Sequence, residues 1–251
     1  MTGTRNTDDL WIRRYHPAGP GAPKLVVLPH AGGSGTFFFP MAKALAPGIE
    51  VLAVQYPGRQ DRHAEKLIES VEELADQLLP VLRSQLDGPF ALFGHSMGAT
   101  LSFELARRLE AEGLVAEALF PSARPAPSRH RENCTVHLGT DEELIAELRS
   151  LSGTNDQVLG NEELLRMTLP AVRGDYKAAE TYRYQPGPKL KSAVYAMIGD
   201  QDPMVTEEEA RAWAEHTEGP FTLDVYRGGH FYLVDHQPAI LKSLADRLTP
   251  A

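Results

Sequence analysis

At 251 residues and 42% hydrophobic, the chain has the size of one large domain whose sheet core is covered by helices on both faces. Its net charge of −9 argues against nucleic acid or anionic membrane surfaces as general partners. The single cysteine, Cys134, excludes an intrachain disulfide and any cysteine metal cluster. The amino terminus, Met1-Thr2-Gly3-Thr4-Arg5-Asn6-Thr7-Asp8-Asp9, has no apolar core of the signal-peptide kind, and no apolar run is long enough to span a bilayer. A cytoplasmic protein without a membrane role is therefore expected.

Along the chain, short apolar runs predict strands at Trp11–Tyr15, Lys24–Leu28, Val51–Gln55, Phe90–Phe93, Ala116–Phe120, Ala193–Ile198 and Phe221–Tyr226. Helical spacing of apolar residues appears at Phe37–Leu45, Val71–Leu86, Ala99–Glu112, Glu207–His216 and Pro238–Leu248. Ser70-Val71-Glu72-Glu73 and Thr206-Glu207-Glu208-Glu209 are capping-box starts for two of them. Such alternation implies one α/β domain over residues 1–251, with a mostly parallel sheet flanked by helices. No internal repeat or low-complexity segment interrupts it.

One interval breaks the rhythm. Between Phe120 and Ala193 no convincing strand appears, yet two helical patterns do. Thr140-Asp141-Glu142-Glu143 caps a segment with Leu144, Ile145 and Leu148. Asn161-Glu162-Glu163 opens another with Leu164, Leu165, Met167 and Leu169, resuming after Pro170 through Val172, Tyr176 and Ala179. An insertion over about residues 122–190, at the carboxyl edge of the sheet, reads as a helical lid over a site; a surface insertion without a gating role is the plainer alternative.

The chemistry centres on Gly94-His95-Ser96-Met97-Gly98. A serine flanked by glycines, between a buried strand and a helix, fits the sharp turn that lifts a hydroxyl above the sheet edge. A tight turn whose serine only caps the helix is the competing account. A serine hydroxyl needs a base and an orienting acid, which in this architecture follow it as acid, then histidine. Of the nine histidines, His230 follows Gly228-Gly229 after the last predicted strand and is the candidate base, with His236 the weaker choice. The acid is sought in Gly199-Asp200-Gln201-Asp202-Pro203, after the preceding strand. Asp202 is favoured because Pro203 biases it toward extended backbone, leaving Asp200 as a turn residue.

An oxyanion needs donors. The Met97 N–H, directly after the serine, is one. The second is expected from Pro29-His30-Ala31-Gly32-Gly33-Ser34-Gly35, where glycines permit close backbone approach, and Ala31 N–H is the candidate. A phosphate-cradling loop is the rival reading, but the Gly-Lys-Ser/Thr ending and the Gly-x-Gly-x-x-Gly pattern are both missing.

Five segments stand out together: Leu28-Pro29-His30-Ala31-Gly32-Gly33, Val54-Gln55-Tyr56-Pro57-Gly58-Arg59, Phe93-Gly94-His95-Ser96-Met97-Gly98-Ala99, Gly199-Asp200-Gln201-Asp202-Pro203 and Gly228-Gly229-His230-Phe231. On them the chain resembles the type II thioesterases, discrete α/β-hydrolase-fold enzymes that serve polyketide synthases and nonribosomal peptide synthetases. The resemblance covers nearly the whole chain. The His-Ala-Gly-Gly and Tyr-Pro-Gly-Arg segments are its more discriminating parts. It implies Ser96 as nucleophile, His230 as base, Asp202 as orienting acid, and Ala31 and Met97 N–H groups as the oxyanion hole. It further implies acyl thioesters carried on the phosphopantetheine arm of acyl or peptidyl carrier proteins, an editing role that clears stalled acyl groups, and no metal or cofactor of the enzyme's own.

The triad alone does not name a substrate. A carboxylesterase acting on free small esters and a product-releasing thioesterase use the same parts; a catalytically silent binding protein does not need them. Arg124, Arg129 and Arg131, with Arg59 and Arg62, form basic stretches near the carboxyl edge where an acidic carrier would dock, or ordinary solvated arginines. Phe37-Phe38-Phe39, Met167 and Tyr176 are candidates for the acyl channel, with core packing the plainer account. A monomer is the expected oligomeric state.

Overall fold

Every central strand sends alternate side chains into two apolar clusters, one on each face of the sheet, so the strand sequences read as unbroken hydrophobic runs. The computed structural model describes residues 10–131, 134–152 and 162–249. Its strands are β1 (Ile12–Arg13), β2 (Lys24–Leu28), β3 (Glu50–Val54), β4 (Phe90–His95), β5 (Ala118–Ser122), β6 (Ala193–Gly199) and β7 (Phe221–Tyr226). They form one seven-stranded sheet in the order β1-β3-β2-β4-β5-β6-β7. Only β1 is antiparallel to its neighbour. On β2, Val26 and Leu28 join one cluster while Leu25 and Val27 join the other.

The helices are α1 (Phe39–Leu45), α2 (Val71–Gln85), α3 (Met97–Ala111), α4 (Asp141–Ser152), α5 (Glu162–Thr181), α6 (Glu207–Arg211), α7 (Tyr232–Asp235) and α8 (Gln237–Leu248). Leu74 and Leu78 of α2 and Leu101 and Leu105 of α3 pack on one face of the sheet. Met41 and Leu45 of α1 and Ile240 and Leu244 of α8 cover the other. This is the mostly parallel, helix-flanked sheet that the alternating pattern predicts, and it agrees with the α/β-hydrolase fold that the resemblance implies. No helix among the described residues is long and apolar enough to cross a membrane.

Local signals mostly hold. The Ser70 hydroxyl accepts from Glu73 N–H at 3.3 Å, and Thr206 and Glu209 bond reciprocally at 3.2 and 2.8 Å. Several boundaries differ by a few residues. The first strand shrinks to two residues because Trp11 is drawn into a helical turn and its ring packs under the Arg62 guanidinium. The strand expected at Ala116–Phe120 lies two residues later, and the helix expected over Glu207–His216 tightens to 3-10 geometry from Ala212.

Helices α4 and α5 occupy the interval between β5 and β6, where the insertion is expected. They share a small core of Leu144, Ile145, Leu165, Leu169, Val172 and Tyr176. Pro170 does not interrupt α5. Its missing N–H would have bonded the carbonyl of Arg166; both residues lie on the exposed side, where water can serve that carbonyl. The helix start expected at Asn161 and the amino-terminal residues 1–9 lie outside the described residues.

Candidate active site

Ser96 stands between the last residue of β4 and the first of α3, with φ 54° and ψ −118°. A non-glycine residue there is strained, and such strain at a strand-to-helix turn marks a serine held out of the chain path. The flanking glycines are required by close packing. A Cβ on Gly94 would lie 2.0 Å from the Gly98 carbonyl oxygen, and one on Gly98 would lie 2.1 Å from the Leu28 carbonyl oxygen. Ser96 N–H donates to Ser122 O at 2.8 Å, tying the elbow to the neighbouring strand.

The loops after β6 and β7 bring an acid to a base. His230 Nδ1 lies 2.9 Å from Asp202 Oδ2 and 3.1 Å from Oδ1, and both residues are buried. Met204 N–H donates to Asp202 Oδ1 at 2.8 Å, fixing the carboxylate. With Nδ1–H given to Asp202, the neutral ring keeps its lone pair on Nε2. Asp200 is exposed and plays a different part: its Oδ1 accepts from Gly228 N–H at 2.8 Å, bracing the histidine loop. His236 is turned away, its Nε2 bonded to Arg227 O at 2.7 Å.

Three imidazoles meet beside the elbow. Ring centroids of His30 and His95 are 5.7 Å apart and those of His95 and His230 are 5.2 Å apart. Phe231 packs against all three. His95 Nδ1 bonds Ser122 Oγ at 2.9 Å, which in turn bonds Tyr232 Oη at 2.7 Å. Burial, then the nearness of His230 and of Arg59, pushes His30 down to about 3. Burial likewise holds His95 well below the usual imidazole range. Both rings are therefore neutral at physiological pH and add no positive charge beside His230.

Backbone donors complete the set. Met97 N–H heads helix α3, where the first amides have no intrahelical partner. In the glycine-rich loop, Gly33 N–H donates to His30 O at 2.9 Å and Gly32 N–H to Asp175 Oδ2 at 2.7 Å. Among the described residues, Ala31 N–H has no such acceptor. Ala31, Ser96, Met97 and His230 all line one cavity of about 310 Å³, whose remaining walls include Leu148 and Leu151 of α4 and Leu165, Val172 and Tyr176 of α5. A mostly apolar chamber opening onto a serine, an imidazole and two amides can hold and attack an acyl group.

Other expected contributors fall elsewhere. Tyr176 lines the cavity, but Met167 is 74% exposed. Phe38 is buried in the core, Phe37 packs on His30, and Phe39 packs on Tyr15, so the Phe37-Phe38-Phe39 run serves packing. The arginines are mostly spent on carboxylates: Arg59 on Asp175, Arg62 on Glu65, Arg129 on Glu215 and Arg131 on Glu209. Arg124 instead donates to Thr100 Oγ1 and Ala179 O, each at 3.0 Å, and lines the cavity together with Arg129 and Arg131. Sequence reasoning overlooked Asp175 and the inward roles of His30 and Arg59. Asp175 lies on the same helical stripe as Val172, Tyr176 and Ala179; a carboxylate there was a sign of a buried partner.

The thioesterase domain model matches residues 23–248. The chain is 49% identical over 241 residues to the thioesterase PikA5 of Streptomyces venezuelae, covering 95% of this chain and 85% of that one. It is 45% identical over 250 residues to a probable cadicidin biosynthesis thioesterase of Streptomyces griseus, covering 100% of this chain and 69% of the relative. The solved structure of the type II thioesterase BorB from the borrelidin biosynthetic cluster superposes with a TM-score of 0.93 at 65% identity, covering 97% of this chain and 100% of that one. The chain belongs to the thioesterase domain family, and type II thioesterases of polyketide and nonribosomal peptide pathways are among its relatives.

Proposed function

We propose that this thioesterase hydrolyses acyl thioesters from the phosphopantetheine arm of acyl or peptidyl carrier proteins, in the cytoplasm, and so edits stalled or aberrant acyl groups. The observation that carries the chemistry is the buried Asp202–His230 pair, whose imidazole lines the same cavity as the strained Ser96 elbow. In this reading His230 Nε2 takes the Ser96 proton as Oγ attacks the thioester carbonyl, and Asp202 stabilises the imidazolium. Ala31 and Met97 N–H groups hold the tetrahedral oxyanion. The thiol leaves with the proton from His230; thiols, with a pKa of about 8.5, are good leaving groups. Water activated by His230 then releases the acid from the acyl-serine. The scheme needs no metal or cofactor of the enzyme's own.

The insertion over about residues 122–190 acts as a lid, because its apolar side chains line the cavity that the acyl group would fill. The carrier docks at the cavity mouth, and the enzyme works as a monomer. Turnover of acyl-carrier thioesters should exceed that of nitrophenyl esters with the same acyl group, with the free acid as product. Equal kcat/KM for both would make this a carboxylesterase, and a cyclised product would make it a releasing enzyme. Near-normal turnover by a folded Ser96→Ala variant would remove the serine mechanism.

A further inference from the structure

The loop that carries Ala31 N–H is held from outside by an ion pair buried beneath the insertion. Arg59 follows β3, and Asp175 lies on α5, far along the chain. Arg59 Nη1 donates to Asp175 Oδ2 at 2.6 Å and Nη2 to Oδ1 at 2.8 Å. Arg59 is 9% and Asp175 1% exposed. The same Oδ2 accepts from Gly32 N–H at 2.7 Å, while Arg59 Nη1 also reaches Gly33 O at 3.2 Å. The pair thus grips two successive residues of the loop, and Tyr56 Oη, donating to Pro29 O at 3.0 Å, holds the residue where it leaves β2. Gly32 has φ +75°, and a Cβ there would lie 2.7 Å from Val172 Cγ2, about one turn before Asp175. The loop is pressed directly onto α5.

Stability is a weak explanation for such a pair. Removing two charges from water costs so much that apolar replacements of matched volume often fold as well or better. What apolar side chains cannot do is accept an amide proton. Asp175 takes Gly32 N–H as its acceptor, and Gly33 N–H is bonded to His30 O. That leaves the N–H of Ala31, one residue earlier and on the cavity lining, without an acceptor among the described residues.

We infer that Asp175, oriented by Arg59, is a positioning residue that fixes the Ala31 N–H of the oxyanion hole. The inference rests on the serine mechanism proposed above. It assigns the Tyr-Pro-Gly-Arg segment an inward task in place of carrier docking, and makes part of the insertion a fixed support of the site. An oxyanion donor is worth about 10²–10³ in kcat when removed outright. A donor that is present but displaced should cost somewhat less.

The test compares Asp175→Asn, which retains an acceptor for Gly32 N–H, with the apolar double variant Arg59→Met/Asp175→Leu, which lacks one. Each is assayed for kcat and KM on an acyl thioester, for thermal midpoint, and for inhibition by an alkylboronic acid, whose tetrahedral serine adduct places an oxygen in the oxyanion hole. The double variant should lose about 30- to 100-fold in kcat with KM changed less than about threefold, and its boronate Ki should rise by a similar factor. Asp175→Asn should lose less than about tenfold. A folded double variant with unchanged kcat and boronate Ki would overturn the inference. Equal losses in both variants would overturn it too, since activity would then follow the charge and not the acceptor. Should the double variant fail to fold, Asp175→Asn alone decides: a boronate Ki within tenfold of the parent supports the inference, and a larger rise overturns it. Ser96→Ala is the control, because its retained turnover and boronate binding would fail the serine mechanism and leave the loop geometry untouched.

Discussion

The two sides of the cavity are built by different physics. The elbow side is backbone: Gly94, Gly98 and the carbonyl of Leu28 pack so closely that no side chain fits, and Ser96 is strained as a result. The insertion side is made of side chains, with a small apolar core in α4 and α5 and the buried ion pair from Asp175 to Arg59. A backbone jigsaw tolerates almost no substitution, whereas a side-chain wall can be recut while its total volume is kept. The elbow therefore admits little change, whereas the insertion's wall can vary in shape.

The largest expected effect lies on the elbow side. Ser96→Ala should lower kcat by at least about 10³-fold with the thermal midpoint unchanged, and Ser96→Ala/His230→Ala should be little worse than either change alone. Steady-state kinetics on a thioester check both. Additive losses would show that the two groups do not act as a unit. Next comes Gly98→Ala, whose Cβ meets backbone at 2.1 Å. Because backbone cannot yield as a side-chain tip does, denaturant unfolding should show destabilisation of about 3 kcal/mol or more.

On the insertion side, Leu169→Ala removes a residue only 2% exposed from the α4–α5 core. It should cost about 2–4 kcal/mol in urea unfolding. It should raise KM for long acyl groups more than it lowers kcat for short ones. The reverse split would place chemistry, and not selection, on this side.

The histidines give a smaller, pH-dependent effect. His30 is held neutral by burial, its folded value about 3 against an ordinary 6.5. Between those values the unfolded chain binds the proton and the folded chain does not, so stability is full above about pH 6.5 and falls as pH drops toward 3. His30→Phe should flatten that acid-side slope in denaturant melts taken between pH 4 and 6. An unchanged slope would assign the acid sensitivity to other groups. The smallest effect is expected at Arg131, whose pairing with Glu209 is partly exposed. Arg131→Gln should shift stability by less than about 1 kcal/mol and leave KM for a carrier thioester unaltered. A several-fold rise in that KM would restore the basic docking surface.

Much of the fold was legible because its signals are local. Strands buried on both faces must be continuous apolar runs, and capping pairs such as Thr206 and Glu209 act within one turn. The elbow was legible for the same reason: Gly-x-Ser-x-Gly is a backbone requirement written into five consecutive residues. Asp202 could be preferred over Asp200 from Pro203, and the structure puts Asp202 against His230 while Asp200 braces a turn. Strand boundaries near Trp11 and Ala116 were less legible, since ring packing and sheet register, not propensity, set them.

The arginines mark where local reading stops. From sequence alone Arg59, Arg62, Arg124, Arg129 and Arg131 are five equivalent cations at one edge of the sheet. Arg62 pairs three residues away with Glu65, but the carboxylates of Arg59, Arg129 and Arg131 lie 116, 86 and 78 residues off, and no periodicity encodes them. The sequence by itself determined the layer architecture, the glycine-flanked turn at Ser96, and the chain order of Ser96, Asp202 and His230 after successive strands. Only the tertiary structure decided that α5 closes over that loop, that Asp175 takes Gly32 N–H, and that His30 and His95 sit neutral beside His230. Period and turn chemistry act over a few residues, whereas burial and ion pairing depend on which distant segments share a space.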